Sequence, residues 1–376
     1  MPRPGSILTV NAGSSSLKLR LLDGADGVLG ERELDDPTDE RGLREAVAAL
    51  LDGRPAPACV AHRVVHGGTR FTGPTLLDPA VAAELEALAD LAPLHNPPAV
   101  RAIRALAELR PDLAAVACFD TAFHAELPAA AATYALPSEW QRRWQPRRYG
   151  FHGLSHAHAS RRAAELLGVA PAGLRVVTAH LGAGASLAAV AGGRSVDTTM
   201  GFTPLEGLVM ATRAGSVDPG LLLWIQRHGG IGPEEMERAL ERESGLLGLA
   251  GSADMREVVD AAERGDGGAA LALDVYVHRL NRELGAMVAA LGGVDAIVFT
   301  GGVGENSAPV RERACRAAAH LGLELDRDAN EAGHLDSRIS GPGSTVAVLL
   351  VRAREDLEMA RQARSLPISA REIDDA

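Results

Sequence analysis

ILTVNAGSSSLKLRLL, residues 7–22, reads as strand, small polar turn, strand: an apolar run, a tip of Gly and Ser, then a run in which apolar residues alternate with Lys18 and Arg20. A tip built from such small residues leaves its backbone N–H groups open to an anion. The same grammar returns at 176–193, VVTAHLGAGASLAAVAGG, and a degenerate internal duplication is the economical explanation. A third apolar strand runs into glycines at 296–307, AIVFTGGVGENS, ahead of a helical pattern from about 309 to 321. None of the three turns is a P-loop or a dinucleotide fingerprint, because the GK[ST] and GxGxxG contexts are absent. Any one of them alone is as well explained as an ordinary turn.

Between these strands, apolar residues recur at three and four over 79–91, 98–109, 156–167 and 269–291, which predicts helices and an α/β chain. Residues 35–41 read as a surface loop and the tail after Leu366 as a frayed end. With 376 residues, 46% apolar and 23% charged, two domains with their own cores are expected. A net charge of -11 argues against general nucleic-acid binding, which calls for a basic face. Cys59, Cys118 and Cys315 are scattered without metal-ligand spacing and read as reduced, structural thiols. MPRPGS runs straight into a short apolar strand, too short for a signal peptide, and no apolar run reaches the roughly 20 residues of a membrane helix. A soluble, cytoplasmic protein is expected.

Polar chemistry gathers in a few short segments. FDTAFH, 119–124, puts Asp120 at the carboxyl end of a strand, a usual address for a working carboxylate, although a helix N-cap is the simpler reading of a lone Asp. RYGFHGLSH, 148–156, concentrates aromatic residues, Gly and His in a chain that is 3% aromatic. Its His152 suits hydrogen bonding to an anion, while His156 and His158 are expected on the surface of the following helix. HRVVHGG supplies Arg63, LAPLHNPP supplies His95, and LEGLVMATRAGSVDPG supplies Arg213. An Arg beside Gly-rich backbone asks for an anionic partner, which a structural carboxylate would also satisfy.

Taken together, VNAGSSSLK, RVVHGG, APLHNPP, FDTAFH, RYGFHGLSH, HLGAGAS, DTTMGFTPLEGLVMATRAG, SADMRE, FTGGVGENS and EDLEMA resemble, in order and nearly end to end, the acetokinase family of the acetate and sugar kinase, heat-shock chaperone and actin superfamily. The resemblance implies a two-lobed α/β actin-like ATPase fold with a duplicated ribonuclease-H-like βββαβα core. It assigns 1–120 plus 357–376 to an N-terminal lobe and 121–356 to a C-terminal nucleotide-binding and dimerisation lobe. The implied reaction is direct, in-line transfer of the ATP γ-phosphate to the carboxylate of acetate, or of propionate, with Mg²⁺ as cofactor and Mn²⁺ as a substitute. By the same resemblance Asn11, Asp120 and Glu355 attend the metal, and Asn11 and Lys18 lie near the transferring phosphate. Arg63 and Arg213 hold acyl and phosphoryl oxygens, and His152 bonds the phosphoryl group with His95 nearby. Val65, Leu94, Phe151 and Pro204 form the acyl pocket. His180, Gly182, Gly184, Gly302, Gly304 and Asn306 take the nucleotide, and a helix ending in Asp254 and Arg256 closes the base pocket. A homodimer is also implied. The departures are Ala183 for a usual Asn, Ala211 for Gly, Ala214 for Ser, Ser216 for Asp and Leu154 for Thr, which touch donor affinity more than reaction class. A sugar kinase would gain nothing from two arginines around its acceptor, and a non-catalytic nucleotide switch would have no use for Arg63, His95, His152 and Arg213 together.

Overall fold

The computed structural model describes residues 5–13, 16–36, 39–92 and 95–367, with the backbone alone at position 90. Contacts divide the chain into two compact units: one of Met1–Ala125, Phe151–His158 and Arg354–Ala376, and one of Glu126–Gly150 and Ala159–Ala353.

The first unit holds β1 (Ile7–Ala12), β2 (Leu17–Leu22), β3 (Val28–Leu34), β4 (Cys59–Val64), β5 (Thr75–Leu76) and β6 (Ala114–Phe119) in the order β3-β2-β1-β4-β6-β5. β1 to β3 run antiparallel, β4 and β6 are parallel to β1, and β5 is an antiparallel edge. The second unit holds β7 (Arg175–Leu181), β8 (Ala185–Ala191), β9 (Arg194–Thr198), β10 (Ala296–Thr300), β11 (Ser337–Arg338) and β12 (Ala347–Leu350) in the order β11-β12-β10-β7-β8-β9. Read from the other edge this is the first sheet again, with β7 standing for β1, β10 for β4 and β12 for β6, and with the same strand directions. The duplication expected from the two hairpins is therefore a repeat of the whole sheet.

Side chains alternate across a strand, and the first sheet uses both faces. Val10, Leu19, Val60, Val64 and Phe119 join the helices Glu40–Leu51 and Asn96–Leu109 in one apolar cluster. Ile7, Leu22, Cys59, Ala61, Val116 and Cys118 form a second cluster with Leu154 and with Met359, Ala360 and Ala363 of the helix Glu355–Arg364. In the second unit the helix Gly267–Leu291 turns Ala272, Tyr276, Leu280 and Leu284 inward at a spacing of four and packs on β8.

Several sequence expectations are corrected. β3, implied by the βββαβα resemblance, was not legible in its own residues, because VLGEREL is an edge strand with exposed residues and lacks an apolar face. The loop expected over 35–41 ends earlier: Asp39 caps a helix that begins at Glu40, accepting from the Gly42 N–H at 2.9 Å. GGVGEN is a short helix, Gly301–Asn306, and not an open turn. Asp254 begins its helix as N-cap, where an end had been expected. His156 and His158 are buried, at 0% and 8% exposure, because the first turns of the helix Gly153–Leu167 face inward with Leu154 and the His124 ring.

Candidate active site

Alternation along β1, β4 and β6 places Asn11, Arg63 and Asp120 on the face covered by the helix Glu355–Arg364, at the strands' carboxyl ends. They form one network. The Arg63 guanidinium donates to Asp120 through Nε (3.1 Å to each carboxylate oxygen) and Nη2 (2.6 Å), and through Nη1 to Asn11 Oδ1 at 3.0 Å. Asn11 Nδ2 donates to Glu355 Oε2 at 2.9 Å, and that oxygen stands 3.7 Å from Arg63 Nη1. Glu355 is brought here by the start of its helix, which Arg354 and Arg20 fix through Asp356.

Burial raises the Asp120 pKa and Glu355 adds to this, while Arg63 pulls the other way. Burial also opposes the charge on Arg63, but the two carboxylates outweigh it and raise its pKa. The result is a cation held by two acids and an amide whose oxygens are all hard ligands. Mg²⁺ commonly takes one or two carboxylates and leaves other positions to phosphate and water, so Asp120, Glu355 and Asn11 fit it, and among the described residues no cluster of three His, Cys, Asp or Glu offers an all-protein cage.

His152 follows directly in space. Gly153 N donates to the Asp120 carbonyl at 3.0 Å, and a Cβ at 153 would collide with that carbonyl, so this position requires glycine. His152 itself has φ +55, a conformation L-residues rarely keep without support from their surroundings. His124 supplies part of that support by donating to the Phe151 carbonyl at 3.1 Å. Phe151 is buried edge-on to the His66 ring, and Val65 is buried on the same loop. His95 is the residue before the helix Asn96–Leu109, and Leu94 lies outside the described residues. The buried polar group of that motif is its neighbour Asn96, which accepts from His66 N and donates to His66 O, each at 3.1 Å. Asn beside Pro at a helix start was its sequence signal. Lys18 lies opposite Asn11 in the hairpin register, and its ammonium pairs with Glu33 at 3.2 Å in the open.

In the second unit, Gly182 and Gly184 close the β7–β8 turn with a 2.9 Å backbone bond, and His180 lies near the end of β7 opposite Thr300. A Cβ built on Gly182 would lie 3.9 Å from Gly302 N, so the two glycine segments are neighbours. Gly301 has φ +80 and faces the Leu181 carbonyl, which leaves no space for a side chain. Asn306 ties back to the Gly302 carbonyl at 2.8 Å, and Gly304 is packed against β7 and β10. The clamp behind this segment was not among the expected residues. Arg311, 1% exposed, donates to the carbonyls of Gly304 and Glu305 and to Asn330, while Glu305 accepts from Gly301 N and Ala353 N. An Arg inside an otherwise ordinary amphipathic helix gave no local sign of this.

Arg213 is half-buried. It donates to the half-buried Pro204 carbonyl at 3.1 Å and makes no ion pair among the described residues, and burial lowers its pKa against the pull of Glu241. Its segment is anchored by another unforeseen group: Glu206 accepts from Arg148 and from Tyr134, each at 2.8 Å, and Tyr134 in turn accepts from Phe202 N. Asp254 and Arg256 are paired with each other, at 2.7 Å and exposed at the Arg end.

The geometry offers an anchored cation–acid network in one unit, and glycine backbone with an available guanidinium in the other. Comparison with known proteins shows the family. Residues 43–361 match the model of the acetokinase family. The chain is 46% identical over 392 aligned residues to an acetate kinase of Streptomyces coelicolor, covering 96% of each. Among solved structures it is similar to the acetate kinase of Porphyromonas gingivalis (36% identity, TM-score 0.88, 96% and 99% covered) and to a propionate kinase of Francisella tularensis (34%, 0.88, 96% and 100%). The chain belongs to the acetokinase family.

Proposed function

We propose that the chain is an acetate kinase that passes the γ-phosphate of ATP directly to the acetate carboxylate, reversibly, giving acetyl phosphate and ADP. The observation that carries this is Arg213: a half-buried guanidinium that makes no ion pair among the described residues suits a phosphoryl or carboxylate oxygen as its anionic partner. A sugar hydroxyl has no such need.

In this reading Arg63 presents an N–H left over from its bonds to Asp120 and Asn11 to the acyl carboxylate, with Val65, Phe151 and Pro204 admitting a methyl or slightly larger group. His152, held by the Gly153–Asp120 bond, donates to the phosphoryl oxygens, and Arg213 balances the charge that spreads over them. The glycine segments around Gly182 and Gly302 give backbone N–H groups to the nucleotide, and Asp254 and Arg256 border its base. Mg²⁺, held by Glu355, Asp120 and Asn11, would neutralise phosphate charge; Lys18 contributes at longer range. Two anions then meet in line without an enzyme nucleophile.

A homodimer through the second unit fits the helix Pro219–Gly229, none of whose residues is buried and which exposes Leu221, Leu223 and Trp224. A cytoplasmic location fits the three buried thiols, and among the described residues no helix is long and apolar enough to cross a membrane. Hydroxylamine trapping of acyl phosphate tests the reaction, with acetate, propionate and butyrate as acceptors and ATP, GTP and pyrophosphate as donors. Product from acetate with ATP is expected; its absence across all donors overturns the reading.

A further inference from the structure

The face of the first sheet opposite Arg63 and Asp120 carries a feature that the proposed reaction does not use. A cavity of about 480 Å³ opens between the sheet and its helices, with Leu77, Ile103 and Leu106 on its walls and His62 of β4 among its lining residues. Its volume falls within the range of small-molecule sites. His62 is 1% exposed, and its Nε2 finds no hydrogen-bond partner among the described residues. A buried polar atom without a partner forfeits its solvation, so a fold that keeps one next to a cavity has a place for a ligand's polar group.

The charged residues at the rim are already occupied. Arg104 pairs with Glu86 at 2.6 Å, Arg110 chelates Asp112, and Glu108 pairs with Arg44 at 2.8 Å. Asp78 caps its own helix by accepting from Val81 N. Burial holds His62 neutral, with its pKa lowered to about 3, so beside the already paired charges of the rim the lining offers one uncharged imidazole and apolar side chains. Such surroundings disfavour a phosphate or a carboxylate and suit a neutral, mainly apolar molecule.

The position is also connected. Arg63 is the next residue of β4 and points to the other face, and Ala114 and Ala115 of the cavity wall begin β6, the strand that leads into Asp120. Asp120 N donates to the Val64 carbonyl at 3.1 Å, tying the two strand ends together. A molecule seated on His62 therefore bears on the two strands that hold the Arg63–Asp120 pair. We infer that this cavity is an effector site for a small neutral amphiphile with one hydroxyl or amide group, bonded to His62, whose occupancy alters turnover through β4 and β6.

The test uses 4-propylphenol, whose hydroxyl both donates and accepts, and propylbenzene, which lacks it. Isothermal titration with the full chain is expected to give saturable binding of the phenol at least tenfold tighter than that of the hydrocarbon. His62→Phe should bring that ratio close to one. Should His62→Phe fail to fold, Ala107→Phe, at an exposed lining position of the helix Asn96–Leu109, should abolish binding of both probes while leaving basal turnover unchanged. Saturating 4-propylphenol should change kcat or the acetate KM at least twofold in the wild type and leave Ala107→Phe unmoved. The inference is overturned by absent binding, by binding that survives Ala107→Phe, or by turnover that stays constant at saturation. The turnover readout rests on the role proposed for Arg63, whereas titration does not, so failure of one is separable from failure of the other.

Discussion

In the first unit the carboxyl ends of β1, β4 and β6 carry Asn11, Arg63 and Asp120; in the second, the corresponding ends of β7, β10 and β12 lead into Gly182, Gly301 and the buried Val351. Strand order and direction are the same, yet one edge is built from charged side chains that hold one another and the other from bare backbone. The topology supplies a place, and the residues at that place supply the chemistry. The two edges also differ in how they are supported. The charged edge is braced by its own ion pairs, whereas the glycine edge is braced from behind by Arg311.

The same substitution in the two units breaks this comparison most sharply. Arg63→Ala and Arg213→Ala should each lower kcat on the order of 10³-fold or more. Only Arg63→Ala should also destabilise the fold, by about 3–5 kcal/mol, because it strands the buried Asp120. Arg213→Ala, which breaks no ion pair among the described residues, should leave the melting temperature within a few degrees. Calorimetry beside kinetics decides this; equal losses of stability would erase the distinction.

Acid should also act through the first unit. Burial depresses His62 to about 3 and His66 and His124 to about 4. Below pH 6.5 the unfolded chain binds these protons and the folded chain does not, so stability present above about pH 6.5 is lost as pH falls toward 4. The loss is roughly 2 kcal/mol per histidine by pH 5. Hydrogen exchange at pH 7 and pH 5 should show β1, β4 and β6 losing more protection than β7, β10 and β12; equal loss would count against it.

Smaller effects sharpen the glycine edge. Arg311→Met should cost about 1.5–3 kcal/mol by removing charged hydrogen bonds to buried carbonyls, and should raise the nucleotide KM more than the acetate KM. Gly301→Ala, with φ +80 and a carbonyl 2.8 Å from the new Cβ, should cost about 1–3 kcal/mol and shift the same KM. Lys18→Ala should change stability by less than about 1 kcal/mol, since its pair with Glu33 is exposed. A nucleotide KM that moved as far as in Gly301→Ala would place Lys18 on the phosphates after all.

Local pattern was enough to read the two hairpins, the strand before GGVGEN and most helices, because periodicity and turn chemistry act over a few residues. It also marked Arg63, Asp120, His152 and Arg213 as candidates, although for Asp120 a helix cap and for the arginines a structural ion pair would each have served as well. It misplaced His156 and His158, since a helix face with little apolar contrast does not say which way it turns. It passed over Arg311, Asn96 and the Tyr134–Arg148–Glu206 group, whose partners are carbonyls and side chains brought close by folding.

The sequence by itself determined most of the elements, their order and the motifs that mark the acetokinase family. Only the tertiary structure decided that Asn11 meets Glu355 across 344 positions of chain, that Arg63 is neutralised by Asp120 on one face of β4, and that Nε2 of His62, one residue earlier, has no partner among the described residues on the other. The reason is physical: side-chain pairing across a sheet depends on register and on which strands become neighbours, and these are set by burial of the whole core.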